Sequence, residues 1–212
     1  VSPATQFVTT PWQQPLSVSS VLAVGPTEEP LTLDEGKLRA GLDWALGDPR
    51  DALMQGFISA ARSQVEQDTG LALLTQTRNV TFAPTPPPAF WASPWWSGVS
   101  NVATIPLPVQ AWPVQSVTAP TGQVVRFTTD PARRSLRVVT PMDVTGTWVI
   151  VAGWPDAATL KAEAPLLVQA VGLLTAHYAT LGRDLASEAR HMELVSMGYE
   201  ECIAPYRLIW VT

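Results

Sequence analysis

The chain has 212 residues, is 46% hydrophobic and carries a net charge of -5, so it holds enough apolar material for a real core in one large domain or two small ones. Its Lys and Arg stand as scattered singles apart from Arg133-Arg134, which excludes the clustered basic footprint of a protein that grips nucleic acid. No window approaches the roughly eighteen uninterrupted apolar residues of a membrane span, the first residues lack the pattern of a secretory leader, and the lone Cys202 cannot close an internal disulfide; the expected setting is the reducing cytosol, with no membrane partner.

Residues 1–30 carry Pro3, Pro11, Pro15, Pro26 and Pro30 among small and apolar residues, which predicts an extended arm with at most one strand near Ser17 to Val24. At "LTLDEGKLRAGLDWALGD" the Thr32 hydroxyl can cap a helix while Glu35 reaches back, and Leu38, Leu42 and Leu46 then share one face until Gly47. A second helix follows, with Asp48 as N-cap, Pro49 in the first position, a stripe of Met54, Phe57, Ile58, Ala61 and Val65, and Gly70 as C-terminal cap. Only Gly47 to Pro49 separates the two patterns, so an αα-hairpin is expected.

From Leu71 the period changes. "LALLTQTRNVTF", "VQSVTA" from Val114, "QVVRFTT" from Gln123, "SLRVVT" from Ser135 and "TGTWVIVAGW" from Thr145 are short, β-branched and bounded by turn residues, which predicts antiparallel strands. "APTGQ" supplies a hairpin turn with Gly122 at positive φ. A third helical pattern in "AEAPLLVQAVGLLTAHYATLG" puts Leu167, Ala170, Val171, Leu174, Tyr178 and Leu181 on one face. A fourth, from about Ser187 to Ile203, carries Met192, Val195, Tyr199 and Cys202, and Pro205 stops it.

The expected fold is therefore α+β: a four-helix core from both chain ends (31–70 and 156–204), an antiparallel β-insertion (71–155) between the second and third helices, an extended arm (1–30) and a short tail (205–212).

Catalytic constellations are missing from the sequence. His177 sits beside an apolar stripe, His191 opens the fourth helical pattern, and neither has metal-ligand spacing, so neither a metal nor a cofactor is expected. Cys202 reads as core, and the carboxylate pairs Asp34-Glu35, Glu66-Asp68 and Glu200-Glu201 read as caps or solvated helix faces. The remaining feature is aromatic: of nine tryptophans, Trp12, Trp91, Trp95, Trp96, Trp112 and Trp210 fall in predicted loops or termini, whereas Trp148 and Trp154 belong to the last strand and its end. Such exposed rings anchor protein interfaces or stack on sugars, so the chemistry is binding, and a carbohydrate-binding module stands as an alternative.

The pieces "LTLDEGKLRAGLDW", "DALMQGFISAARSQVEQDTGLALLTQT", "IPLPVQAWPVQSVTA", "WVIVAGWP", "APLLVQAVGLLTAHYATLGRD" and "APYRLIWV", in that order, resemble the head-tail connector (adaptor) family of long-tailed bacteriophages and gene transfer agents. The likeness covers about residues 31–82, 105–119 and 148–212. It implies a structural virion protein of the neck, assembled in the host cytoplasm into a ring, usually of twelve subunits, between the portal protein and the next neck or tail component. DNA would pass through the ring without sequence-specific binding, and no enzyme activity or cofactor is implied.

Two segments depart from that family's usual pattern: the arm, and the proline- and tryptophan-rich stretch 84–100. The expectation is that Phe90, Trp91, Trp95 and Trp96 contact a neighbouring subunit; the plainer alternative, that they cap their own sheet, stays open. The closing "PYRLIWVT" is expected to dock on the portal through Tyr206, Arg207, Leu208 and Trp210.

Overall fold

The computed structural model describes residues 16–84, 102–107, 110–130, 135–139, 146–181 and 198–207. Helices and antiparallel sheets coexist, as an α+β fold requires, and the chain divides into two compact units: Val1–Gly25 with Gln76–Ala152, and Pro26–Thr75 with Gly153–Thr212.

In the helical unit, α1 spans Leu33–Arg39 and opens on the expected capping box: the Thr32 hydroxyl accepts the Glu35 backbone N–H at 3.2 Å, and the Glu35 carboxylate accepts the Thr32 backbone N–H at 2.8 Å. The helix stops well short of the predicted Leu46. Gly41 takes φ 65°, its N–H bonds the Leu38 carbonyl, and the Leu42 N–H reaches the Lys37 carbonyl at 2.9 Å, a Schellman closure that ends the helix after two turns. Leu38 and Leu46, expected on a buried face, are 80% and 66% exposed as a result. The expected near-loopless αα-hairpin is likewise replaced by a connection over residues 40–50.

Asp48 and Pro49 form a turn ahead of α2 (Asp51–Thr69) rather than its first turn: the Asp48 carboxylate accepts the Arg50 backbone N–H, and its carbonyl accepts that of Asp51. The predicted stripe holds, with Met54, Ile58, Ala61 and Val65 buried, and Gly70 closes the helix in the left-handed conformation (φ 69°, ψ 17°). Helix α1 lies against α2 because Gly36 is small there; a Cβ at that position would come within 2.8 Å of the Ile58 side chain.

The predicted third helix forms from Pro165, and a short helix that was not foreseen precedes it. Helix α3 (Ala157–Glu163), capped by the Asp156 carboxylate on the Thr159 N–H at 2.7 Å, meets α4 (Pro165–Leu181) at an angle of 111°. The break falls on Ala164 because the residue before a proline is driven out of the helical region, here to φ -135°, ψ 58°. Leu167, Ala170, Val171 and Leu174 are buried on α4 as predicted, facing α2. Of the predicted fourth helix the described residues contain only a helical segment over 198–203, followed by a 3-10 turn at Ala204–Tyr206; Met192 and Val195 lie outside them. No single helix among the described residues is long and apolar enough to cross a membrane.

The sheet unit holds two antiparallel sheets. One has the order β1 (Leu16–Val24), β2 (Gln76–Pro84), β7 (Gly146–Ala152), β4 (Val114–Thr118), and the other β3 (Val102–Pro106), β6 (Ser135–Val139), β5 (Phe127–Asp130). Strand β3 was not foreseen, and Leu71 to Leu74, read as part of a strand, are instead buried core residues of the helical unit. Alternation is clean where one face is covered: Val80 and Phe82 on β2 and Trp148 and Ile150 on β7 point inward, with Val80 paired to Trp148 in register and Phe82 edge-on to the Trp148 ring at 6.5 Å. The predicted turn forms, with the Ala119 N–H on the Gln123 carbonyl at 2.8 Å and Gly122 at φ 82°.

Candidate interaction surface

Cys202 is buried, as its place in an apolar stripe predicts, and burial pushes its thiol up. His177 is buried on α4, and His191 lies outside the described residues. No group of three metal-ligating side chains exists among the described residues.

Glu66 corrects the sequence reading, which placed the pair Glu66-Asp68 in a cap or on a solvated helix face. Glu66 is 3% exposed and its carboxylate is shared between the Arg62 guanidinium (3.0 Å) and the backbone N–H of Leu73 (2.9 Å), so it latches the chain reversal after α2 onto the helix. Arg62 also reaches Glu29 at 2.8 Å. Asp68 accepts the Tyr199 hydroxyl at 2.6 Å and the Gln64 amide at 2.9 Å, which ties the segment 198–203 to α2. The Arg62/Glu66 spacing of four was a readable signal, because such residues are neighbours on a helix; nothing local announced that the pair would be covered.

A second cluster organises residues 40–50. Asp51 receives Lys37 Nζ at 2.6 Å, Trp44 Nε1 at 2.8 Å and the Gly47 N–H at 2.8 Å, and the Lys37 bond above all holds its carboxyl below the usual range. Arg50 stacks over the Trp44 ring at 4.3 Å, with Lys37 at 5.7 Å. The connection is thereby clamped, and Leu46 within it, Leu38 in α1 and Leu53 (60% exposed) in α2 stay in water, each within two residues of a group bonded to Asp51, or of Asp51 itself. Large apolar side chains left in water beside a fixed support are candidates for a contact surface.

Among the residues expected to dock a partner, Tyr206 and Arg207 can be described. Tyr206 is half-buried in the 3-10 turn and burial raises its hydroxyl. Arg207 leaves the turn extended (φ -72°, ψ 138°) and forms a two-pronged pair with Glu200 of its own chain, at 2.5 and 3.0 Å. Phe90, Trp91, Trp95, Trp96, Leu208 and Trp210 lie outside the described residues. The tryptophans that can be described are occupied: Trp148 is 1% exposed, Trp44 is clamped at Asp51, Trp154 donates to Glu163 at 2.9 Å, and Trp112 is half-buried.

No protein-family model matches the chain, and no curated protein does. Solved structures do. A chain in the structure described as the neck of an empty gene transfer agent (GTA) particle computed with C6 symmetry shares 24% identity at a TM-score of 0.56, covering 92% of this chain and 97% of the other. A chain from the virion of a native GTA particle matches at 20% identity and a TM-score of 0.57, covering 91% and 97%. A third, from the neck of a native GTA particle computed with C12 symmetry, matches at 22% and 0.51, covering 87% and 96%. The fold is shared nearly end to end with these chains, and their particle type is one of the two named by the sequence resemblance.

Proposed function

We propose that this chain is a structural protein of a virion neck, assembling into an adaptor ring between portal and tail and surrounding the channel through which DNA leaves. The observation that carries this reading is the fold likeness, which takes in more than nine-tenths of this chain and nearly all of a chain from a GTA neck. A net charge of -5 fits a channel wall that DNA passes without being held. The symmetries of the neck structures, C6 and C12, fit a ring whose subunits repeat around the channel.

Within this reading, Phe90, Trp91, Trp95 and Trp96 are contacts to a neighbouring subunit, and Tyr206, Arg207, Leu208 and Trp210 dock on the portal. The role is mechanical, with no reaction and no cofactor. Negative-stain microscopy of the purified protein at high concentration tests it: rings with a central hole are the expected result, and monodisperse monomers that also fail to join portal rings overturn it.

A further inference from the structure

The order β1-β2-β7-β4 places β1 at one side of its sheet and β4 at the other. Strand β1, "LSVSSVLAV", is nine residues long, without a charge or a proline, and pairs only with β2 among the described strands. Its last residues are in water: Val21 is 64%, Leu22 48% and Val24 57% exposed. Val21 pairs with Asn79 and Val24 with Thr77, across a bulge at Ala23 that brings both valines to the face opposite Val80 and Phe82. A long, uncharged, apolar edge invites strand addition unless something covers it, and the usual guards, lysine and proline, are missing here.

At the opposite side, residues 123–125 fold back over β4: Thr118 bridges Val124, and the Val125 N–H bonds the Val117 carbonyl at 3.0 Å. The new outer edge carries Val124, which is 75% exposed. Among the described residues of this unit, every exposed large apolar side chain therefore lies at one or the other end of a single sheet.

We infer that these ends are the two halves of one contact between copies of this chain: β1 of one copy lies along residues 123–126 of the next, with Val21 and Val24 against Val124. Two different patches meeting head to tail make a heterologous contact, the kind that closes into a ring. A two-fold pairing of β1 with β1 would leave the Val124 edge bare, and a foreign partner on β1 would leave it unexplained. The inference rests on the ring reading for its biological setting, but the contact can be tested apart from it.

In a Cys202→Ala background, Val24→Cys and Val124→Cys variants are prepared separately and as a double variant, oxidised mildly at high concentration and resolved on non-reducing gels. Mixing the two single variants is expected to give a cross-linked dimer that neither gives alone, and the double variant a ladder of higher species. Dimers from Val24→Cys alone overturn the head-to-tail arrangement. No cross-link in the mixture overturns the contact; if rings are nevertheless seen by microscopy, the neck reading stands and only this surface fails. As a second measure, Val21→Lys with Val24→Lys is expected to weaken self-association at least tenfold at an unchanged melting midpoint, and unchanged association overturns the proposal.

Discussion

The two units of this chain are stabilised by different means. The sheet unit relies on apolar interdigitation, with Val80, Phe82, Trp148 and Ile150 stacked on one face of paired strands. The helical unit has an apolar core too, yet its ends and connections are fastened by polar latches: Glu66 on Leu73, Asp68 on Tyr199, Asp51 on residues 37–47, and Glu35 on Thr32 and Lys161. Strands satisfy their backbone groups through the neighbouring strand, so the sheet needs few side-chain bonds. Helix ends leave backbone groups unpaired, and side chains must reach them.

Removing the largest ring of the sheet should separate the units most sharply. Trp148→Ala is expected to cost about 4 kcal/mol, as large-to-small changes at fully buried aromatics do, and peptide-resolved hydrogen exchange should show β2 and β7 deprotected while α2 and α4 keep their protection. Equal deprotection of both units would mean they unfold as one.

Glu66→Ala probes the opposite case. It strips the Leu73 N–H of its acceptor and leaves Arg62 with Glu29 and the Ser59 hydroxyl, at an expected cost of about 3 kcal/mol in urea denaturation. Glu66→Gln, which keeps an acceptor but not the charge, should recover part of that loss.

Tyr199→Phe keeps the ring and deletes only the bond to Asp68, for about 1 kcal/mol. Its effect should appear first as faster exchange in the segment 198–203.

Acid should act on the latches in preference to the sheet. Four carboxyls of the helical unit sit below their ordinary values, Asp48 among them through its bonds from Arg50. For Glu35, burial opposes the shift, and the bonds from Lys161 and Thr32 outweigh it; for Asp51 the cause is Lys37; for Asp156 it is the Thr159 N–H. A carboxyl with a lowered folded pKa contributes stability that is present above its unfolded value and lost as pH falls through the folded one. Loosening of the helical unit is therefore expected below about pH 4, read as rising exchange around α1 and the start of α3 while β2 and β7 stay protected. Because none of these groups is fully buried, the effect should be small and weaken with added salt.

Features that depend on near neighbours in the chain could be read without a structure. The Thr32/Glu35 capping box, the left-handed Gly70 cap, the stripes of α2 and α4 and the Ala119–Gln123 turn all follow from residues a few positions apart. The early end of α1 was also local, since Gly41 is in the sequence, but the leucine spacing at 38, 42 and 46 argued for continuation; Schellman closure at Gly41 prevailed, and Leu38 and Leu46 were left in water. The split between α3 and α4 lay equally in plain view at Pro165.

Period, turn chemistry and the order of short motifs carried the alternation of helix and strand, the Thr32 and Gly70 caps, the apolar stripes of α2 and α4 and the resemblance to neck proteins. The burial of Glu66, the place of β1 at one side of a sheet with β4 at the other, and the gathering of exposed valines at those two ends came from tertiary contacts. Burial and strand order depend on which distant segments meet: Val18 finds Phe82, and Thr118 shares its sheet with Leu16 only through β2 and β7. No local pattern encodes such a meeting, since a residue's propensity is the same whichever distant segment comes to lie against it.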